Sequence, residues 1–285
     1  MQNIGIILEG GAMRSMFCAG VLDSFLDNDI HIPNVMAVSA GAYAGMNYVS
    51  GQRGRVVEAI IEPMETEKYF GFSTFIKKGT FFDMDLLFDE IPKRRVPFDF
   101  EAFSSSAKRF ITSTVNCITG EPVYFEEFSD KDGFLKICRA ANSLPFIGKV
   151  TEIEGIPMLD GGMADAIPIG KALEEGWKKI IVVVTRNTKY RKKQRHFYLA
   201  MLRLLYHRYP KFVQLVAGRA ARYNHSLDVL EHMEKEGKVF VLRPSDDIYL
   251  MNNETDVQRL KEYYRHGYEV AEEKKEELKA FLNKN

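Results

Sequence analysis

Short runs of consecutive apolar residues alternate with helical patterns along most of the chain. Five runs rich in β-branched residues lack the polar alternation of a half-buried strand, and most are predicted to be buried on both faces. They span Ile4 to Leu8, Val35 to Val38, Phe110 to Val115, Ile180 to Thr185 and Val239 to Leu242. Between several of them lie predicted helices at Met16 to Leu26, Ala40 to Val49, Leu135 to Ala141 and Ile169 to Glu175. Because buried strands joined by helices are typical of layered α/β proteins, we expect a three-layer α/β/α fold with a mostly parallel central sheet.

Two regions depart from this alternation. Residues 62–106 are rich in Phe, Gly, Lys and Pro and are predicted to form an irregular insertion over the sheet. A lid or substrate wall is one interpretation, and satellite core is the more common one. After residue 190 a basic, mostly helical segment leads to a charged helix from Thr255 to Leu282. We therefore predict one domain at 1–185 and a mostly helical extension at 186–285 packed on it.

Composition excludes several classes of protein. The chain has 285 residues, 46% of them hydrophobic, which is enough for a substantial core and excludes disorder of the whole chain. The 39 basic and 39 acidic residues balance, so no nucleic-acid partner is indicated. Three unpatterned cysteines fit a reducing compartment, and the first residues lack the basic leader and long apolar run of a signal peptide. We expect a cytoplasmic protein.

The first predicted strand leads into a glycine loop, Glu9-Gly-Gly-Ala-Met-Arg-Ser15. Consecutive glycines allow several backbone N–H groups to point at one spot beside the start of a helix, which favours a negative ligand. Phosphate is one candidate, although neither GxGxxG nor GxxxxGK[ST] is present. The other is the oxyanion of an acyl-transfer intermediate. An ordinary strand-to-helix turn would also explain Gly10 and Gly11.

Ser39 lies between the second predicted strand and the helix that follows, in Ala37-Val-Ser-Ala-Gly41. This is close to the G-x-S-x-G elbow, in which small residues flank a nucleophile on a strained turn; alanine replaces the first glycine. Gly41 and Gly45 would fall on one helix face and allow close approach to the sheet. The alternative is a structural serine bonded to the backbone.

No histidine has the surroundings of a catalytic base, because His31 precedes the Ser39 strand and the other five lie in the polar last third. Asp160, in Met158-Leu-Asp-Gly-Gly162, follows an apolar run and precedes two glycines. A desolvated aspartate beside a hydroxyl can take its proton as an oxyanion forms. The alternative is a turn aspartate that bonds its own backbone.

Four blocks in order resemble the patatin-like phospholipase family. Glu9 to Arg14 is similar to the family's D-G-G-G-x-R oxyanion loop and Val38 to Gly41 to its nucleophile elbow. Ala140 to Phe146 is similar to a block that lines the site, and Asp160 to Gly162 to the D-G-G block with the catalytic aspartate. The resemblance covers residues 4 to 185 and implies a patatin-like fold, hydrolysis of lipid acyl esters by a Ser39–Asp160 dyad, and no metal or cofactor.

The resemblance also implies the remaining site residues. Gly10, Gly11 and Ala12 would bind the oxyanion, with Ala40 beside them, while Arg14 would steady the loop or meet a phosphate head group. Glu9, Ala12 and Ala37 depart from the family pattern, and a positive φ at Ala12 would cost energy. The last third resembles an extension found in a bacterial branch of the family.

The sequence is also compatible with two other functions and with a membrane contact. The same serine would serve an acyltransferase, and a non-catalytic protein would bind an anionic ligand in the glycine loop. Residues 196–223 form a basic amphipathic segment that could rest on anionic lipid. Packing of its apolar stripe on the domain is favoured, which would leave a solvated basic face that includes Arg219 and Arg222. A peripheral location at the inner membrane face would follow from the lipid contact. Nothing in the sequence fixes the oligomeric state.

Overall fold

The computed structural model describes residues 3–66, 74 and 82–284, and within them eight strands form one mixed sheet. The strands are β1 (Ile4–Leu8), β2 (Asn34–Ala37), β3 (Arg109–Asn116), β4 (Pro122–Phe125), β5 (Thr151–Ile153), β6 (Ile156–Asp160), β7 (Lys179–Val183) and β8 (Val239–Leu242). Five of them run parallel in the order β3-β2-β1-β7-β8. The other three, β4, β5 and β6, are antiparallel to their neighbours.

The register of β3 brings the ends of β2 and β6 together. Thr112 pairs with Ala37 of β2 on one edge and with Phe125 of β4 on the other. Two residues further on, Thr114 pairs with β4 and with Asp160 of β6. Strands β2 and β6 therefore share the edge of β3 that β4 does not occupy. Since β2 runs parallel to β3 and β6 runs antiparallel, their carboxyl ends face each other.

Helices cover both faces of this sheet. They are α1 (Met16–Asp27), α2 (Ala40–Val49), α3 (Arg55–Thr66), a π-helix (Leu86–Arg95), α4 (Phe100–Ser104), α5 (Lys131–Ala141), α6 (Ile169–Glu174), α7 (His196–Leu205), α8 (Pro210–Ala217), α9 (Arg219–Lys235), α10 (Val257–Glu273) and α11 (Lys275–Asn283). Successive residues of β1 point to opposite faces of the sheet and belong to two separate parts of the core. Ile6 and Leu8 pack with α1, α2 and α10, whereas Ile7 packs with α6 and α9. The predicted three-layer α/β/α fold is confirmed.

The C-terminal third is built into this arrangement. Strand β8 extends the sheet beside β7, and α10 packs closely along α1. A Cβ on Gly20 would lie 2.0 Å from the carbonyl oxygen of Tyr264, and one on Gly267 would lie 2.1 Å from that of Phe17. Only glycine at both positions permits this helix spacing. Helices α7 and α8 cover the β3–β6 end of the sheet through Leu202 and Phe212.

Two predictions need correction. The single helix expected from Thr255 to Leu282 is two helices, because the helical conformation is interrupted at Lys274. The chain changes direction there, and Phe281 contacts Phe240 with ring centroids 5.7 Å apart.

The described parts of the insertion are mostly helical rather than irregular, comprising the end of α3, the π-helix and α4. Four of the insertion's phenylalanines lie outside the described residues: Phe70, Phe72, Phe75 and Phe81. The lid or substrate-wall interpretation was made for all of residues 62–106, of which 67–73 and 75–81 lie outside the described residues. In the part of the chain that the structure describes, every helix is too short or too polar to cross a bilayer.

Candidate active site

Ser39 occupies a strained turn between β2 and α2. Its φ of 54° and ψ of −133° are rarely adopted by residues other than glycine, and such a conformation costs about 1–3 kcal/mol. The turn is held tightly against β1, since a Cβ on Gly41 would approach the carbonyl oxygen of Leu8 to 2.6 Å. A residue without a side chain is therefore required two positions after the serine, as the elbow pattern predicts.

Asp160 lies opposite this serine at the end of β6. Ser39 Oγ donates a hydrogen bond to Asp160 Oδ2 at 2.5 Å, and the N–H of Gly162 donates to Asp160 Oδ1 at 2.8 Å. Asp160 is fully buried, and burial raises its pKa to about 6 against the opposing effects of the Ser39 and Gly162 hydrogen bonds and the charge of Arg219. The structure thus joins a buried carboxylate, with a pKa close to neutral, to a strained hydroxyl.

The glycine loop passes directly beside Ser39. A Cβ on Gly10 would lie 2.4 Å from the Ser39 Cβ, so only glycine fits at the point of closest approach. The amides of Gly10 and Gly11 donate to no acceptor within the described residues. Ala12 has a φ of 50°, a left-handed conformation that costs about 1–2 kcal/mol in a residue with a side chain. The strain expected for alanine at this position is therefore present.

An apolar cavity opens beside the serine. Ser39, Ala12 and Ala40 line one part of it. The remaining wall is largely hydrophobic and comes from α2, α3, the π-helix with the residues just before it, and the segment after α5: Tyr43, Val56, Ile60, Phe82, Met84, Leu87, Phe88, Leu144 and Ile147. Such a wall suits a hydrocarbon chain whose polar end lies at Ser39.

The block from Ala140 to Phe146 supports both the cavity and the aspartate. Asn142 and Leu144 line the cavity, and the carbonyl oxygen of Ser143 accepts a hydrogen bond from the N–H of Asp160 at 3.0 Å. The sequence prediction that this block lines the site agrees with its position. Its second contribution, holding the backbone at Asp160, has no counterpart in the sequence pattern.

Arg14 does not reach this cavity. Its N–H donates to the carbonyl oxygen of Gly11 at 3.2 Å, so its backbone belongs to the loop, but its side chain lines a second cavity at the carboxyl end of β7. The loop's acidic residue, Glu9, is buried and accepts hydrogen bonds from the N–H and hydroxyl of Thr185 and from the hydroxyl of Tyr223. Glu9 therefore anchors the loop to β7 and α9.

Two arginines of the C-terminal third also reach the site, which sequence reasoning missed. Arg219 Nε donates to the carbonyl oxygen of Gly162 at 2.9 Å, and Arg222 donates to those of Met163 and Ala164. Both were assigned to the solvated face of the basic amphipathic segment, and that assignment was wrong for them. Basic residues at helical spacing carry no signal that distinguishes a solvated face from one that meets loop carbonyls.

No histidine lines the cavity that contains Ser39. His31, His196, His207, His225 and His232 are exposed. His266, on α10, accepts a hydrogen bond from the N–H of Ser245, and burial lowers the pKa of the His266 side chain. The side chain that accepts a hydrogen bond from the Ser39 hydroxyl is the carboxylate of Asp160.

Comparisons with known proteins show the family of this chain. A family model described as patatin-like phospholipase matches residues 6–173, which is more than half of the chain. The chain belongs to the patatin-like phospholipase family. Ser39, Asp160 and the glycine loop all lie within the matched range. A second model, described as a domain of unknown function (DUF6363), matches residues 209–283, so both arginines from α9 lie in that segment.

Two individual proteins are similar to this member of the family. The uncharacterized protein YjjU of Escherichia coli (strain K12) is 29% identical over 188 residues, which are 64% of this chain and 52% of that protein. The chain thus spans about half the length of this curated relative. The crystal structure of VipD from Legionella pneumophila aligns over 96% of this chain and 66% of its own, with a TM-score of 0.46 and 11% sequence identity.

Proposed function

We propose that the protein is a serine acyl hydrolase that cleaves fatty-acyl esters of lipids, of the phospholipase A or lysophospholipase type, with Ser39 and Asp160 as its catalytic dyad. The observation that carries this proposal is the 2.5 Å hydrogen bond from Ser39 Oγ to Asp160 Oδ2 at the wall of an apolar cavity. Membership of a family that acts on lipid esters supports the substrate class.

Acylation begins with the proton that Ser39 shares with Asp160. As Oγ forms a bond to the ester carbonyl carbon, the proton passes to Asp160 Oδ2 and the carbonyl oxygen becomes an oxyanion. The amides of Gly10 and Gly11, which have no other acceptor in the described chain, would stabilise that charge together with the N–H of Ala40 at the start of α2. When the intermediate collapses, the ester C–O bond breaks and Asp160 returns the proton to the departing alcohol.

Deacylation repeats these steps with water. Asp160 accepts a proton from a water molecule that attacks the acyl carbon, and collapse of the second intermediate frees Ser39 and the fatty acid. A pKa of about 6 leaves Asp160 ionised at neutral pH while making it a stronger base than an exposed aspartate. The strained turn at Ser39 holds the hydroxyl towards both Asp160 and the cavity.

A serine-directed probe tests the proposal. A fluorophosphonate should label the wild-type protein and fail to label Ser39→Ala, while Asp160→Asn should label at least 100-fold more slowly. Ser15→Ala is the matched control, because Ser15 lines the same cavity and its hydroxyl makes no hydrogen bond to either residue of the dyad. Equal labelling of the wild type and Ser39→Ala would contradict the proposal and favour the non-catalytic anion-binding alternative. Acyl transfer to added glycerol would instead identify the acyltransferase.

The outer face of α7 supports a peripheral contact with anionic lipid at the cytoplasmic face of a membrane. Phe197 and Leu204 are 81% and 67% exposed on this face, and Arg203 of α7 and Arg208 in the turn that follows are also exposed. The opposite side of α7 is buried on the domain through Leu202, so the segment combines both sequence interpretations. Flotation with anionic liposomes at low salt should carry the protein upward, and Leu204→Glu should reduce this. If the wild-type protein stayed at the bottom of the gradient, this result would contradict the proposed membrane contact.

A further inference from the structure

A second cavity, of about 150 Å³, lies at the carboxyl ends of β1 and β7. Arg14 and Arg186 line it, together with Tyr190, Tyr249 and Tyr263. It shares no lining residue with the cavity that contains Ser39. In the sheet, β1 has β2 on one side and β7 on the other, so the cavity lies where the strand order reverses. Ligands of open α/β sheets commonly bind at such a position.

Both arginines carry donors without acceptors. The Nε and Nη1 atoms of Arg14 and the Nε atom of Arg186 are buried and make no hydrogen bond within the described residues. A buried donor left unpaired destabilises the folded protein, and does so more when it is charged. An acceptor bound in the cavity would offset this cost.

The charges around the cavity are also unbalanced. Arg14 and Arg186 repel each other, which adds to the effect of burial in lowering the pKa of Arg14. Lys192 lies within electrostatic reach of both, and burial, together with the charges of Arg219 and of these two arginines, lowers the pKa of Lys192 to about 7. Glu9 is the carboxylate whose charge acts on Arg14 and Lys192, and its oxygens already accept hydrogen bonds from Thr185 and Tyr223. Lys189, which also lines the cavity, forms an ion pair with Asp246 at 2.8 Å. An additional negative charge would therefore be stabilised here.

Aromatic rings hold the Arg186 guanidinium in place. Its Cζ lies 4.2 Å from the ring centroid of Tyr190 and 5.5 Å from that of Tyr249. Stacking occupies the faces of the guanidinium and leaves the in-plane N–H groups for a ligand. A planar fork of donors, with a second guanidinium beside it, matches the tetrahedral oxygens of a phosphate group.

We propose that this cavity is a binding site for a phosphate group, held between the guanidinium groups of Arg14 and Arg186. The hydroxyl of Tyr263 donates to the carbonyl oxygen of Thr185 and fixes one wall. The exposed ring of Tyr249 leaves the site accessible from solvent. The ligand is either free phosphate or the phosphate of a small ester such as a lipid head group, and neither needs to reach Ser39.

Calorimetric titration of the full chain at constant ionic strength tests this proposal. Inorganic phosphate and glycerol 3-phosphate are the two probes, with chloride replacing them in the reference. We expect saturable binding of at least one of them to the wild type, weakened at least tenfold in Arg186→Met. Tighter binding of glycerol 3-phosphate would identify a head-group site, and tighter binding of inorganic phosphate a site for the free ion.

Three further variants keep the outcome decisive. Arg94→Met removes an exposed arginine elsewhere and should leave the affinity unchanged. Arg186→Lys keeps the charge without the planar fork and should bind with intermediate affinity, which decides the matter if Arg186→Met does not fold. Ser39→Ala should bind as the wild type does, so the site can be judged even if the proposed hydrolase activity fails. No saturable binding to the wild type, or equal affinity in Arg186→Met, would overturn the proposal.

Discussion

Arg219 Nε donates a hydrogen bond to the carbonyl oxygen of Gly162 at 2.9 Å, two residues beyond Asp160. This contact connects the start of α9, in the C-terminal third, to the loop that follows β6. The charge of Arg219 also lowers the pKa of Asp160, opposing the larger effect of burial. The segment matched by the model of unknown function thus influences the carboxylate that faces Ser39.

Replacing this arginine should move the pH dependence of activity. In Arg219→Gln the pKa of Asp160 should rise, so the acid limb of kcat/KM for a nitrophenyl ester should shift upward by about half a unit to one unit. A pH–rate profile measures this shift. Arg222→Gln is the matched control, since Arg222 binds the carbonyls of Met163 and Ala164 and should affect stability without moving the limb. Coincident profiles for Arg219→Gln and the wild type would contradict the electrostatic role.

The raised pKa of Asp160 also predicts how stability varies with pH. Between an unfolded value near 3.8 and the folded value of about 6, the folded protein binds more protons, so its free energy of unfolding falls as pH rises. Asparagine at this position does not titrate. The stability of Asp160→Asn relative to the wild type should therefore increase by up to about 3 kcal/mol between pH 4 and pH 6 and then level off.

Urea denaturation at several pH values measures this difference. Asp23 and Asp165, whose pKa values burial also raises, titrate in both proteins and cancel. Asp132→Asn is the control, because Lys93 lowers the pKa of that exposed carboxyl and the relative stability of this variant should not rise with pH. A difference for Asp160→Asn that is constant across the range would show that its pKa is not raised.

The sequence predicted most of the fold because its signals were local. The continuous apolar runs at β1 and β8 were predicted to the residue, and the elbow around Ser39 followed from small residues at fixed spacing. Strands β4, β5 and β6 were not predicted as such. They have only three to five residues each, and the apolar run of β6 was noticed for its aspartate rather than as a strand. The meeting of β2 and β6 depends on their register along β3, which no local pattern encodes.

The site contacts that sequence analysis missed also join residues that are far apart in the chain. Glu9 was treated as a departure from the family pattern, but its partners Thr185 and Tyr223 are 176 and 214 residues away in the chain. Arg219 and Arg222 reach loop carbonyls from a helix whose spacing alone predicted a solvated face. Long-range pairs of this kind appear only once the elements are packed together.

The left-handed conformation of Ala12 predicts a stabilising substitution. Ala12→Gly should remove about 1–2 kcal/mol of strain and lose part of that gain to the greater freedom of glycine in the unfolded chain. The net expectation is an increase of about 0.5–1 kcal/mol in the free energy of unfolding, measured by urea denaturation. Ala200→Gly, at an exposed position inside α7, should instead cost about 1 kcal/mol. Equal losses in both variants would show that Ala12 is not strained.

The wall of the apolar cavity predicts selectivity for acyl-chain length. Ile60 lies on α3, away from the Ser39 turn, and lines the same cavity. In Ile60→Trp the larger ring should occupy space needed by a long chain, so kcat/KM should fall about tenfold or more for a dodecanoate ester and change little for a butyrate ester. A chain-length series of nitrophenyl esters measures the ratio. Leu173→Trp, at an exposed position on α6, should leave the ratio unchanged. If Ile60→Trp reduced activity on both esters to the same extent, the acyl chain would have to lie elsewhere than along α3.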